Sequence, residues 1–379
     1  MKRFLEMAEA RTGWKSIGAG LVLVWLLGCQ PAPRRAVSIT PLTSPPAGSA
    51  PSLAAQAPER PAPAPPGAPP VASSPAVASG PLWLALASWC REHGLAAPTV
   101  GQRGAELAYT LAAPRGTLVL VINHRQAWWQ GMALWLAYAP VLDAGQPMVQ
   151  ALDAAKVLTP LLLGPTRLAP ANRLLVLDPG HGGRNTGTRS ILDGRWEKEF
   201  TLDWALRLRP LLVAEGWQVV LTRTNDTDVS LAQRVAFANQ RHPGLFVSLH
   251  FNSAGAHPEA DGMETYCLTP VGMPSSLVRD AKDDLTLVFP NNAFDGANLL
   301  WAVRLHRALV RQTAEPDRGV RHARFMGVLR GQACPAVLVE GGYLSNPAEA
   351  RLIGSGGFRQ KLAAALADAL RVDAVVAER

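Results

Sequence analysis

Cysteine is scarce in this chain: Cys29, Cys90, Cys267 and Cys334 are all there is, and no two stand in Cys-x-x-Cys spacing. That excludes a thiolate metal knuckle and a dithiol redox centre. Cys29 closes an N-terminal apolar stretch, so three thiols remain for the body of the chain, an odd number that forbids a fully paired disulfide framework. Buried thiols are expected, with room for one disulfide. Long hydrophobic runs are missing too. The run from Ile17 to Leu27 has eleven residues, against the roughly 20 that a helix needs to span a bilayer. Dense basic runs with interleaved aromatics are also absent. Of the net charge of +8, residues 1–80 hold +4 through seven basic and three acidic side chains, which leaves a thin surplus for the other 299 residues. Nucleic-acid binding is therefore excluded as a reading, and only a mild attraction to an anionic cell wall remains.

What the N-terminus does contain is a targeting pattern. Lys2, Arg3, Arg11 and Lys15 precede the apolar run, which ends in Leu26-Leu27-Gly28-Cys29. Basic residues followed by a short apolar core read as a secretory signal. The last four residues resemble the lipobox of bacterial lipoproteins, which implies lipidation of Cys29 and a membrane anchor. Gln30 then favours the periplasm-facing side of an outer membrane; a plain cleaved signal over residues 1–29 is the other reading. Residues 30–80 follow as a disordered Pro/Ala-rich linker: 14 of the 32 prolines fall in 31–80, fixing φ and removing donors.

Two folded regions are expected beyond it. Residues 81–168 read as a small α+β module, with a helix over 82–93, strands over 106–111, 117–122 and 132–138, and a closing helix within 147–161. Trp128-Trp129 suits its core, with a sugar-stacking platform as the alternative. Residues 172–375 alternate strand and helix: strands over 174–177, 217–222, 245–249, 263–268 and 336–339, helices over 231–240, 296–312 and 357–372. Alternation of this kind predicts an α/β fold, a mostly parallel sheet flanked by helices. Residues 200–212 fit a strand by alternation or a helix by the spacing of Phe200, Trp204, Leu208 and Leu212; length favours helix, with Pro210 expected to kink or interrupt it. Residues 270–295 read as a surface loop.

Polar residues stand where the strands end. His181 follows the first strand in Asp178-Pro-Gly-His-Gly-Gly183, Glu197 opens the next helix, and His250 ends the third strand. Ligand sites of open α/β sheets lie at the carboxyl ends of strands. Two imidazoles and a carboxylate suit zinc with one position left for water, although hydrogen-bonded structural histidines fit the same spacing. Glu340 ends the apolar strand 336–339; a carboxylate there must be paired or used. A salt bridge is the plainer alternative.

The text around these residues resembles a known family. Leu177-Asp-Pro-Gly-His-Gly-Gly183, Glu197-Lys-Glu-Phe200, Val220-Leu-Thr-Arg223, Ser248-Leu-His-Phe-Asn252 and Val339-Glu-Gly-Gly-Tyr-Leu-Ser-Asn-Pro347 occur in the order of the zinc-dependent N-acetylmuramoyl-L-alanine amidases, over about residues 172–372. The resemblance implies a peptidoglycan hydrolase that cleaves between N-acetylmuramic acid and L-alanine with zinc-activated water. It implies one Zn2+ on His181, Glu197 and His250, with Glu340 as the catalytic base. Asn252 is a candidate substrate contact. Arg184-Asn-Thr-Gly-Thr188 replaces the family's more usual acidic, proline-containing continuation, which bears on substrate fit. A zinc peptidase acting elsewhere on the stem peptide and a lipid-anchored wall-binding protein are the competing readings. Nothing in the text identifies a protein activator.

Overall fold

The computed structural model describes residues 82–165, 168–255, 257–278 and 283–371, all within one compact unit, Ala76–Arg379. The signal-like segment, the lipobox with Cys29 and the linker 30–80 lie outside the described residues.

In chain order the elements are β1 (Trp83–Ala85), α1 (Leu86–Glu92), β2 (Thr99–Arg103), β3 (Glu106–Ala113), β4 (Gly116–Val121), β5 (Gln126–Trp129), β6 (Met132–Trp135), β7 (Val141–Asp143) and β8 (Gln146–Gln150). Two short helices, α2 (Ala151–Asp153) and α3 (Thr159–Leu163), then lead to β9 (Leu174–Pro179), α4 (Glu197–Ala214), β10 (Gln218–Leu221), α5 (Leu231–Asn239), β11 (Leu245–Asn252) and β12 (Met263–Cys267). The chain continues with α6 (Asp295–Thr313), β13 (Asp317–His322), α7 (Gly327–Arg330), β14 (Ala336–Tyr343), α8 (Pro347–Gly354) and α9 (Gly356–Ala369).

The α/β expectation holds in the second half. Strands run in the order β10-β9-β11-β14-β12-β13, parallel except that β12 is reversed against β14. Near-continuous Leu and Val in β9 and β14 reflect burial on both faces. One core packs α4, α6 and α9 on the first face, and a second holds Val176, Phe246, Leu338 and Leu329 on the other.

The first half differs from the sequence expectation of a self-contained module. Strands β2 to β6 form an antiparallel run whose last member pairs in parallel with β13, so eleven strands make one mixed sheet. Leu111, Leu118, Trp129, Val157 and Leu161 belong to the same core as Phe200, Trp204 and Leu299. The join runs through β13, whose sequence Asp-Arg-Gly-Val-Arg-His is too polar to read as a strand. A separate three-stranded sheet, β1-β8-β7, carries Trp83–Ala85, which pairs with β8 instead of opening the helix.

Helix α4 resolves the ambiguous stretch. Glu199 Oε1 accepts the Trp196 N–H at 3.0 Å, capping the start, and Phe200, Trp204, Leu208 and Leu212 are buried at helical spacing. Burying each contributes about 1.5–3 kcal/mol. Pro210 neither ends nor interrupts the helix. It lies on the exposed side of the helix, as does Leu206, the residue whose carbonyl loses its donor to the proline. Gly216, at φ +83°, follows the helix end, as the sequence predicts.

Candidate metal centre

Strand β9 ends at Pro179 and the next residue continues the ladder: the Gly180 N–H donates to Leu249 O at 3.0 Å, which sets Gly180 beside His250. His181 then adopts φ +63°, followed by Gly182 at +129° and Gly183 at +57°, so the chain turns back over the strand ends. Two buried arginines fix this turn. Arg223 donates to Pro179 O at 3.0 Å and Gly180 O at 2.8 Å. Arg234 donates to His181 O and Asp178 Oδ1, both at 2.5 Å. Asp178 is buried and also accepts Ser248 Oγ at 2.7 Å. Arg223 ends the motif Val-Leu-Thr-Arg223, whereas Arg234 has no sequence signal beyond a place in helix α5, so its hold on the His181 turn is visible only in the fold.

Three sequence-predicted ligands converge. His181 Nε2 lies 3.1 Å from Glu197 Oε2 and His250 Nδ1 3.0 Å from Glu197 Oε1. The imidazoles meet edge to face with centroids 4.8 Å apart, and one ligand atom from each of the three residues falls within 4.8 Å of the others. Glu197 is buried and accepts two backbone N–H groups, Thr188 and Phe251, each at 3.0 Å. Burial alone would raise its carboxyl; the two imidazoles outweigh that and hold it well below the usual carboxylate range. His181 Nδ1 bonds Asn185 Oδ1 at 2.8 Å, which orients the ring with Nε2 inward.

The surroundings fit a metal. At Gly187, φ is +70° and an added Cβ would come 2.5 Å from Glu197 Oε2 and 2.7 Å from His181 Cδ2. Gly180 leaves the same kind of clearance for the His250 ring. Glycine at both places lets the backbone close over the ligand set. Two imidazoles and one carboxylate, with Asn185 holding His181 and the Thr188 and Phe251 N–H groups holding Glu197, form a donor set suited to Zn2+.

Glu340 is brought to the same place. It is opposite His250 in the β11–β14 ladder and opposite Glu264 in the β12–β14 ladder, so the three side chains share one face of the sheet. Strand β14 runs on through Gly341 and Gly342 to Tyr343, beyond the end expected at Val339. Glu264 was missed by sequence reasoning. It is buried and accepts Tyr266 Oη at 2.6 Å, Asn252 Nδ2 at 2.8 Å and Arg318 Nε at 2.8 Å. The signal was a carboxylate inside the apolar strand Met-Glu-Thr-Tyr-Cys267. Asn252, the candidate substrate contact, is tied by its amide nitrogen to Glu264.

Cys90, Cys267 and Cys334 are free buried thiols; burial pushes Cys90 up to about 11 and Cys334 up to about 12, so they are inert. Trp129 is core; Trp128 is half-buried with the Arg103 guanidinium 3.8 Å from its ring centroid. The segment 270–278 and 283–289 is pinned to the body through Arg324, which donates to Met273 O at 2.8 Å and Pro270 O at 3.1 Å.

Comparison with known proteins bears on half the chain. Residues 175–372 match the family described as "N-acetylmuramoyl-L-alanine amidase". The chain is 34% identical over 198 residues to the N-acetylmuramoyl-L-alanine amidase CwlM of Bacillus licheniformis, covering 52% of this chain and 66% of that protein. It is 31% identical over 226 residues to the N-acetylmuramoyl-L-alanine amidase AmiA of Salmonella typhimurium, covering 54% and 77%. Among solved structures, the catalytic domain of the amidase CwlV from Bacillus (Paenibacillus) polymyxa var. colistinus is 31% identical, covers 52% of this chain and 96% of its own, and superposes with a TM-score of 0.43.

Proposed function

Because the chain belongs to the N-acetylmuramoyl-L-alanine amidase family, hydrolases of the bond between N-acetylmuramic acid and the L-alanine of the peptidoglycan stem, we propose that it cleaves that amide with one Zn2+ held by His181, Glu197 and His250 and with Glu340 as the catalytic base. The observation that carries this is the convergence of His181 and His250 on the buried Glu197, with Glu340 in register beside His250. Bound there, zinc would supply Lewis acidity, making water a competent nucleophile near neutral pH.

The chain's own groups do the rest. Thr188 and Phe251 hold the Glu197 carboxylate through their N–H groups, and Asn185 holds His181, so the ligand set is formed before substrate arrives. Glu340 takes the proton of the attacking water and returns it to the departing alanine nitrogen. His181 and His250 keep about a fifth of their side-chain surface exposed, so the carbonyl reaches the site from the solvent side. A zinc peptidase differs only in which amide is presented, and the family assignment favours the muramoyl bond.

The finer location is part of the same proposal. The basic and apolar N-terminal segment with Leu-Leu-Gly-Cys29 supports export, lipidation of Cys29 and a place on the periplasm-facing side of the envelope. No helix among the described residues is long and apolar enough to cross a membrane. Labelled-lipid incorporation that disappears in Cys29→Ser would support the anchor, and incorporation that persists would overturn it. Equilibrium dialysis tests the metal: one zinc per chain is expected, lost in Glu197→Ala together with release of label from dyed peptidoglycan. Full zinc binding by Glu197→Ala would overturn the ligand assignment.

A further inference from the structure

The family match begins at residue 175, yet the strands before it reach towards the hydrolytic site. Strand β6 meets β13 at Val320 opposite Leu134, and the Ala133 N–H donates to Asp317 Oδ2 at 2.8 Å. The approach is close. Gly319 has φ +90°, and a Cβ there would come 2.9 Å from Ala133 O.

Trp135, the last residue of β6, lies against two arginines of β13. Its indole N–H donates to Arg318 O at 3.0 Å, and the Arg321 guanidinium sits 4.5 Å from its ring centroid. Both arginines converge on one carboxylate oxygen. Arg318 Nε donates to Glu264 Oε1 at 2.8 Å, and Arg321 Nε lies 3.2 Å from that oxygen, a charge contact without hydrogen-bond alignment. Glu264 then holds Asn252 with its other oxygen. It is also the register neighbour of Glu340, and like charges directly opposite in a ladder repel. The two arginines offset that repulsion.

We infer that Trp135 is a positioning residue of the hydrolytic site: through Arg318 and Arg321 it fixes Glu264, which in turn fixes Asn252 and the setting of Glu340. The strands ahead of the family match are thus a working part of the site and not a detachable wall-binding appendage. This rests on the amidase reading above.

The test uses the full chain and a small soluble muramoyl peptide, with zinc content and Tm measured alongside kcat and KM. Trp135→Ala lowers kcat about 10-fold, the scale of losses from groups that orient a metal site's residues. Zinc stays at wild-type stoichiometry and KM within twofold. Trp135→Phe keeps a ring beneath Arg321 and recovers most of the loss. Glu264→Gln lowers kcat at least as far, and adding Trp135→Ala to it lowers kcat no further, because both act on one path. Should Trp135→Ala not fold, Arg321→Gln carries the same expectation, including non-additivity with Glu264→Gln. Wild-type kcat in these variants, a rise in KM alone, or multiplicative losses in the double variant would each overturn the inference. A wild-type protein inactive on this substrate would sink the amidase reading itself.

Discussion

Replacing Gly180 with alanine should weaken zinc binding while leaving the fold in place. Gly180 continues β9 and faces the His250 ring. An added Cβ would stand 2.7 Å from His250 Nδ1, with two further ring atoms nearer still, where ordinary contact begins at 3.4 Å. The nearest ring atom sets the demand, and the imidazole must therefore withdraw by roughly 1 Å. It cannot do so freely, because its Nδ1 is 3.0 Å from the buried Glu197 and its ring abuts His181. Metal–ligand distances tolerate about 0.2 Å. Zinc affinity should fall about 10- to 100-fold, and overpacking should cost about 1–3 kcal/mol of stability. Competition against a chromophoric chelator measures the first, and urea unfolding the second. Gly101→Ala is the control: its Cβ would meet nothing within 4 Å, and both quantities should stay unchanged. Wild-type zinc affinity in Gly180→Ala would refute the geometry, because it would mean that His250 is not fixed where the ligand set requires it.

Further outcomes follow from other parts of the structure. Glu340→Gln should bind one zinc per chain by metal analysis yet lose on the order of 10²- to 10⁴-fold in kcat, the range for removing a general base. His322 is buried at the β13–β6 seam, and burial, with Arg125 acting the same way, pushes it down to about 4 from an ordinary 6.5. The unfolded chain therefore takes up this proton first. Stability is full above pH 6.5 and falls as pH drops towards 4, by about 2 kcal/mol at pH 5. Urea midpoints at pH 7.5 and 5.0 should differ less in His322→Gln by that amount; an equal pH dependence in both proteins would contradict this. Asn298, fully buried, donates to Asn291 Oδ1 at 3.0 Å and accepts the Ala336 N–H at 2.8 Å. Asn298→Ala leaves both groups unpaired and should cost about 2 kcal/mol, read as a lowered urea midpoint.

The residues that meet at the candidate site were more legible in the sequence than the architecture that supports them. His181, Glu197, His250 and Glu340 each stand near the end of an apolar strand or at the start of a helix, and the motifs around them carry the family resemblance. Their supports come from distant chain and carry no local pattern. Arg318 and Arg321 lie in β13, where Val320 is the only large apolar residue of six; packing against Trp135 and Glu264, not periodicity, makes that segment a strand. Strand β2, Thr-Val-Gly-Gln-Arg103, was invisible for a related reason: it is exposed throughout, so no buried face imposes alternation. The extension of β14 past Glu340 was hidden by Gly341 and Gly342, whose type argues against a strand interior. At Gly341 a Cβ would come 2.9 Å from both Phe251 and Trp204, so the close approach of α4 to the sheet demands glycine. Tertiary contact decides all three cases, and single-strand patterns cannot report it.

The most direct test of the central claim is mass spectrometry of the products from purified peptidoglycan digested by the wild-type protein, with and without a chelator. Intact stem peptides bearing a free L-alanine amino group should be released, cease to appear on chelation, and return when zinc is added back. Fragments cut between two amino acids, or release that persists without metal, would contradict the account.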